Sequence, residues 1–111
     1  MSSKEWKTVC TVEDLVDNAG VCALLEDNTQ VAIFKLSKDE QDIYAIENFD
    51  PVGKANVLYR GIVGCSQGEP FVASPLYKQQ YSLNSGQCLQ ENVAVTAFKT
   101  RVQTSEVQIF A

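Results

Sequence analysis

The chain contains no histidine, so its cysteines are the side chains that could carry redox chemistry or ligate iron or zinc through a soft donor atom. Cys10, Cys22, Cys65 and Cys88 are at least twelve positions apart, so no Cys-x-x-Cys chelate or redox motif is present. The absence of imidazole excludes serine and cysteine triads, histidine-containing zinc sites and histidine ligation of iron. A four-thiolate cluster would lack the short-spaced cysteine pairs that such sites normally use. We therefore expect reduced thiols that pack as small apolar side chains, and no metal site.

Length and charge restrict the class of protein. The 111 residues, 45% of them hydrophobic, fit one compact domain spanning residues 1–111. The net charge of −5 and the pI near 4.6 disfavour nucleic acid and anionic membrane surfaces as partners. No apolar run reaches the length of a membrane span, and the first residues do not resemble a secretion signal. We expect a cytoplasmic protein that is monomeric when free.

Short apolar runs separated by turn-forming clusters predict an all-β fold, a small sandwich or barrel of short antiparallel strands. Thr11 and Asp14 have the spacing of a capping box, which predicts one short helical turn near the N-terminus. Residues 47–61 are expected to form a long irregular connection, and residues 37–41 a polar turn. The predicted strands cover residues 6–10, 21–25, 31–36, 43–46, 62–63, 71–73, 81–83, 88–89, 98–102 and 106–110.

Two segments place these elements in a known family. YAIENFDPVG (residues 44–53) and VASPLYKQQYSLNSGQCL (residues 72–89) resemble the two cluster-binding loops of Rieske ferredoxin-like domains. That family has Cys-x-His in the first loop and Cys-x-x-His in the second. The two cysteines hold one iron of a [2Fe–2S] cluster and the two histidines hold the other. The resemblance implies a Rieske-like fold over nearly the whole chain.

None of the four family ligands is present. Asp50 and Val52 stand at the positions of the first pair, and Ser74 and Tyr77 at those of the second. Valine has no donor atom, and neutral hydroxyl groups are poor substitutes for thiolate and imidazole on iron. We therefore expect no cluster, no other cofactor and no catalytic residue on this chain. For Asp50 itself, we favour a turn-stabilising, solvated carboxylate over an acid–base pair with Glu47.

Among ligand-free Rieske-like domains, the chain resembles the small-subunit family of the cytoplasmic NADH-dependent assimilatory nitrite reductases. RGIVG (residues 60–64) and SPLYKQ (residues 74–79) are its most specific matches, although Tyr77 replaces a histidine that the family often retains. The resemblance implies a non-catalytic subunit that partners a large catalytic chain. That large chain would carry flavin, sirohaem, an iron–sulfur cluster and the NADH site, and would reduce nitrite to ammonium in nitrate and nitrite assimilation.

A fold kept without its cofactor is expected to act through its surface. We expect the two former cluster loops, residues 50–59 and 74–80, to form or border the contact with the large chain through Lys54, Tyr77, Lys78 and Gln79. Lys54, Arg60 and Lys78 form either a basic patch or, as we favour, scattered surface cations. Two alternatives remain: a Rieske-type electron-transfer ferredoxin with unconventional ligands, and a generic β-barrel interaction module.

Overall fold

Antiparallel strands dominate the protein. The structure, a computed structural model, describes residues 4–36 and 43–111. A six-stranded sheet has the order β1-β11-β10-β4-β3-β2, a three-stranded sheet the order β7-β8-β9, and β5 and β6 form a small hairpin. The elements are β1 (Trp6–Thr11), the 3₁₀ helix η1 (Val12–Asp14), β2 (Ala19–Leu24), β3 (Gln30–Lys35), β4 (Ile43–Glu47), β5 (Phe49–Asp50), β6 (Ala55–Asn56), the 3₁₀ helix η2 (Leu58–Arg60), β7 (Ile62–Ser66), β8 (Glu69–Ala73), β9 (Gln80–Ser82), β10 (Ala97–Gln103) and β11 (Glu106–Phe110). The predicted all-β fold is confirmed.

Strand β3 lies at the centre of the core and is buried on both faces. Because side chains alternate along a strand, Val31 and Ile33 point into one apolar cluster and Ala32 and Phe34 into another. The first cluster is completed by the curled outer strands of the six-stranded sheet, through residues such as Val107. The second is completed by η2, the three-stranded sheet and the segment between β9 and β10: Leu58, Val72, Tyr81, Leu83, Cys88 and Val95 join Ile46 there. This second cluster supports the two loops of interest.

The helical turn predicted near the N-terminus is confirmed. Helix η1 begins after Thr11, and the Asp14 carboxylate accepts hydrogen bonds from the Thr11 backbone N–H at 2.9 Å and from its hydroxyl at 3.0 Å. These bonds lower the pKa of Asp14 from its ordinary value. Both helices are single 3₁₀ turns, and within residues 4–36 and 43–111 no helix has the length and apolar character needed to span a membrane.

Two expectations about loops need correction. Residues 47–61 are more regular than predicted, because they contain the β5–β6 hairpin and η2. Helix η2 is anchored by Asn48, which is fully buried and accepts a hydrogen bond from the Tyr59 N–H at 2.7 Å. The strands predicted at residues 62–63 and 71–73 are longer than expected and leave only Gln67 and Gly68 between them, whose φ values of 51° and 82° suit a two-residue hairpin turn. The turn predicted over residues 37–41 lies outside the described residues.

Candidate functional site

Two loops with similar sequences lie side by side and are joined by a hydrogen bond between Ser74 and Asp50. DPVGK (residues 50–54) and SPLYK (residues 74–78), here called the paired loops, each start with a polar residue before proline and end on lysine. The Lys54 N–H donates to the Asp50 carbonyl at 2.6 Å, and the Lys78 N–H donates to the Ser74 carbonyl at 3.0 Å. Both lysines have left-handed φ values, 58° and 63°. The two segments therefore form equivalent turns.

Asp50 joins the paired loops beneath the surface. Its side chain is fully buried, and its carboxylate accepts hydrogen bonds from the Ser74 hydroxyl at 2.5 Å, the Tyr81 hydroxyl at 2.7 Å and the Val52 N–H at 2.9 Å. The Ser74 oxygen also accepts a bond from the Leu76 N–H at 3.3 Å. The expectation of a turn-stabilising Asp50 is confirmed, but the expectation of a solvated carboxylate is wrong. Ser74 and Tyr81 replace its water shell.

The electrostatics keep this network in one protonation state. Burial alone would raise the pKa of Asp50, but the hydrogen bonds from Ser74, Tyr81 and the loop backbone outweigh it and hold the pKa below its ordinary value. The pKa of Tyr81 is raised, first by burial and then by its bond to Asp50 and that charge. At neutral pH Asp50 is therefore an acceptor and Tyr81 a donor. This arrangement suits structural support rather than proton transfer.

The residues at the family ligand positions do not fit a [2Fe–2S] cluster. Asp50 and Ser74, at the two cysteine positions, are hydrogen bonded to each other. Val52, at one histidine position, offers no donor atom, and Tyr77, at the other, is 66% exposed. The Leu76 side chain packs against Gly53, where an added Cβ would lie 2.5 Å from its Cδ1 atom. Apolar packing and a polar hydrogen-bond network thus fill the space between the two loops.

The cysteines are dispersed through the fold. All four are free, with Cys88 in the core and Cys22 and Cys65 at the surface. Burial, followed by the charge of Asp14, raises the pKa of Cys10 to about 11, which leaves its thiol unreactive. In the part of the chain that the structure describes, no three Cys, Asp or Glu side chains converge as a metal site would require.

The residues predicted to contact the partner differ in their exposure. Lys54, Tyr77 and Lys78 are exposed on the paired loops. Gln79 is half-buried instead, and its amide donates to Glu91 at 3.0 Å. Leu76, which sequence reasoning did not select, is 46% exposed beside Tyr77.

Arg60 is the third of the cations expected to be scattered over the surface. It lies 5.3 Å above the Tyr59 ring and donates to the Tyr59 hydroxyl at 2.8 Å. Ile62, 78% exposed, was also not selected, because its place in an apolar run predicts burial. The surface near the paired loops therefore contains more apolar side chains than the sequence indicated.

Comparisons with known proteins agree with this architecture. The Rieske-like [2Fe-2S] domain family matches residues 5–110. The nitrite reductase (NADH) small subunit of Escherichia coli (strain K12) is 42% identical over 106 residues, which cover 95% of this chain and 96% of that protein. The solution structure of the E. coli protein NirD has a TM-score of 0.87 and 40% identity, covering 97% of each chain.

One relative contains a similar sequence within a longer protein. The Klebsiella oxytoca nitrite reductase [NAD(P)H] large subunit is 36% identical over 110 residues, which are 98% of this chain and 11% of that protein. With the matches above, the family resemblance seen in the two loop segments is confirmed. The chain belongs to the nitrite reductase small-subunit family of Rieske-like domains.

Proposed function

We propose that this chain is a non-catalytic small subunit of an NADH-dependent nitrite reductase and acts by association with the large catalytic chain. The observation that carries the proposal is the Asp50–Ser74–Tyr81 network, which places structural hydrogen bonds at the two positions where the family has cysteine ligands. A domain that retains its loops without cluster ligands offers its surface to a partner. The flavin, sirohaem, iron–sulfur cluster and NADH site would belong to the large chain, and nitrite would be reduced to ammonium there.

The Klebsiella protein supports the choice of partner. A sequence similar to nearly all of this chain lies within a nitrite reductase large subunit there. A domain that is a separate chain in one organism and part of a larger chain in another is expected to work in the same assembly. Four free cysteines suit the reducing cytoplasm, where we place the complex, and we propose that the uncomplexed chain is a monomer.

We place the contact on the paired loops. Leu76 and Tyr77 offer adjacent exposed apolar surface, and Lys54 and Lys78 lie at equivalent ends of the two turns. Tyrosine is enriched at interfaces because a large apolar ring carries a polar tip, and its rigid side chain loses little entropy on binding. The underlying network fixes the backbone of both loops before the partner arrives, which reduces the cost of ordering them.

Truncating the exposed loop side chains tests this contact. We expect Tyr77→Ala to weaken binding to the large chain by about tenfold or more, the usual loss for an aromatic interface anchor, and Lys78→Ala to add to that loss. Lys99→Ala, an exposed lysine on β10, is the matched control and should bind as the parent does. Affinity would be measured by calorimetry with the purified large chain. Unchanged affinity of the Tyr77→Ala, Lys78→Ala double variant would exclude the paired loops as the contact.

The absence of a cluster is tested directly on the isolated chain. Protein purified without oxygen from iron-replete cells should be colourless, with iron and acid-labile sulfide far below stoichiometric amounts, because the ligand positions lack thiolate and imidazole. A cluster-containing Rieske ferredoxin prepared in parallel controls for cluster loss during purification. Stoichiometric iron and sulfide with visible absorption bands would instead support the electron-transfer ferredoxin.

A further inference from the structure

Strand β7 is an open sheet edge. It pairs with β8 on one side, and in the described ranges 4–36 and 43–111 no strand pairs with its other side. Its sequence, IVGCS, contains neither charge nor proline, the two devices that commonly protect edges from pairing with other chains. Ile62 at its start is 78% exposed. This side of β7 is here called the β7 edge.

The edge strands β1 and β9, and the start of β2, carry protection that β7 lacks. Strand β1 carries Lys7, and its register shifts between Thr8 and Cys10. Along β9, the following loop folds back, and the Leu89 N–H donates to the Gln80 carbonyl at 2.8 Å. The start of β2 lies against η2, so closely that a Cβ on Gly20 would be 2.5 Å from the Tyr59 carbonyl oxygen.

The register shows which backbone groups the β7 edge presents. The two-residue turn closes on Ser66 and Glu69, which makes them a hydrogen-bonded pair. Pairs of this kind alternate along an antiparallel ladder, so Val63 and Cys65 direct their N–H and C=O groups away from β8. Pro70 lies opposite Cys65, where its missing N–H leaves no gap in the ladder. An incoming strand could therefore bond to both residues.

A groove runs beside these groups. Its volume is about 680 Å³, and its walls come from the start of β2, from Leu36 and from residues 59–65. Arg60 is the cation among these wall residues. The groove thus suits an extended segment with small or apolar side chains and a carboxylate opposite Arg60.

We propose that the β7 edge receives an extended strand of the large catalytic chain by β-strand addition, which rests on the function proposed above. The β7 edge and the paired loops are continuous, because Ile62 pairs with Ala73 and Ser74 follows directly. A partner held on the paired loops would present its strand to the β7 edge at high effective concentration.

A second copy of this chain is a poorer occupant. A ladder over the five residues of β7 is by itself small beside the about 1,200 Å² of a stable interface, whereas the large chain would also contact the paired loops. Two copies would also each carry a net charge of −5.

The experiment compares edge variants in the complex of this chain with the large chain. Ile62→Lys places a charge on the β7 edge, and Cys65→Pro removes one outward N–H. Both should weaken binding at least about tenfold. Leu24→Lys is the matched control, because Leu24 is 64% exposed on β2, and its affinity should equal that of the parent. Thermal unfolding of each variant verifies that it is folded.

Backbone amide exchange, followed by NMR, provides a readout that does not depend on any variant. In the complex the Val63 and Cys65 amides should exchange at least about tenfold more slowly than in the free chain, as newly bonded edge amides do. Binding without that protection would overturn this inference alone. Failure of the parent chain to bind the large chain would overturn the proposed function and this inference together. A dimer of the free chain that Ile62→Lys dissociates would assign the β7 edge to a second copy.

Discussion

Asp50→Ala is expected to lower the free energy of unfolding by about 3–5 kcal/mol, measured by urea denaturation at neutral pH. The substitution removes the acceptor for the Ser74 and Tyr81 hydroxyls, which are buried and would lose their partner. It also removes the bond from the Val52 N–H that shapes the first of the paired loops. Since the two loops are joined through this carboxylate, Asp50→Ala should also weaken binding to the large chain.

Two further variants separate burial from turn formation. Asp27 accepts a hydrogen bond from the Thr29 N–H at 3.0 Å, the same local turn as Asp50 and Val52, but at an exposed site. Asp27→Ala should therefore change stability little. Asp50→Asn keeps the shape and one acceptor oxygen and should cost about 1–2 kcal/mol. Equal losses for Asp27→Ala and Asp50→Ala would show that the buried network adds nothing to the turn.

The same carboxylate makes a defined contribution to acid sensitivity. Its pKa in the folded chain is lower than the ordinary 3.8 expected for the unfolded chain. The stabilisation that the ionised Asp50 gives the fold is therefore fully present above the pKa of Asp50 in the unfolded chain. It is lost as the pH falls through the pKa of Asp50 in the folded chain. The stability difference between the parent and Asp50→Asn should narrow below about pH 4. A difference that stays constant or grows on acidification would contradict an ionised Asp50.

The strands and the loop positions were predictable because they depend on local pattern. Alternation located β1, β10 and β11, and two short motifs located the paired loops. The role of Asp50 was not predictable from its neighbours. Its decisive donor, Tyr81, is 31 positions away, and only the packing of β9 on the second core cluster brings it to the loop. The sequence around Asp50 shows a polar turn, which is equally typical of a solvated site.

The exposure of Ile62 was unpredictable for a related reason. An apolar residue beside Val63 indicates a strand, but the pattern does not say which sheet edge that strand occupies or whether the edge is covered. In the structure Val63 packs against the core, while Ile62 is exposed at the edge. Strand order is a property of the whole chain, so this surface emerges only with the fold.

Gly86→Ala is expected to destabilise the fold by about 3–5 kcal/mol, again by urea denaturation. Gly86 has a φ of 81°, which costs an L-residue about 1–2 kcal/mol. A Cβ there would also lie 1.9 Å from the Val95 carbonyl oxygen, on a segment whose N–H donates to the Gly86 carbonyl at 2.9 Å. Both partners in this contact are held by backbone atoms, so the clash can be relieved only if the backbone around Val95 moves.

Gly68 provides the matched control, since its φ is 82° and an added Cβ would meet nothing within 4 Å. Gly68→Ala should lower the free energy of unfolding only by the cost of a left-handed φ, about 1–2 kcal/mol. The additional loss in Gly86→Ala then measures the clash with Val95. Val95 and Tyr81 belong to the same core cluster, so displacing Val95 is expected to disturb the Tyr81 bond to Asp50. Gly86→Ala should therefore also weaken binding to the large chain, whereas Gly68→Ala should not. If Gly86→Ala and Gly68→Ala lowered the free energy of unfolding equally, the backbone segment around Val95 would move without an energetic penalty. The paired loops would then lack the rigid support on which their proposed role depends.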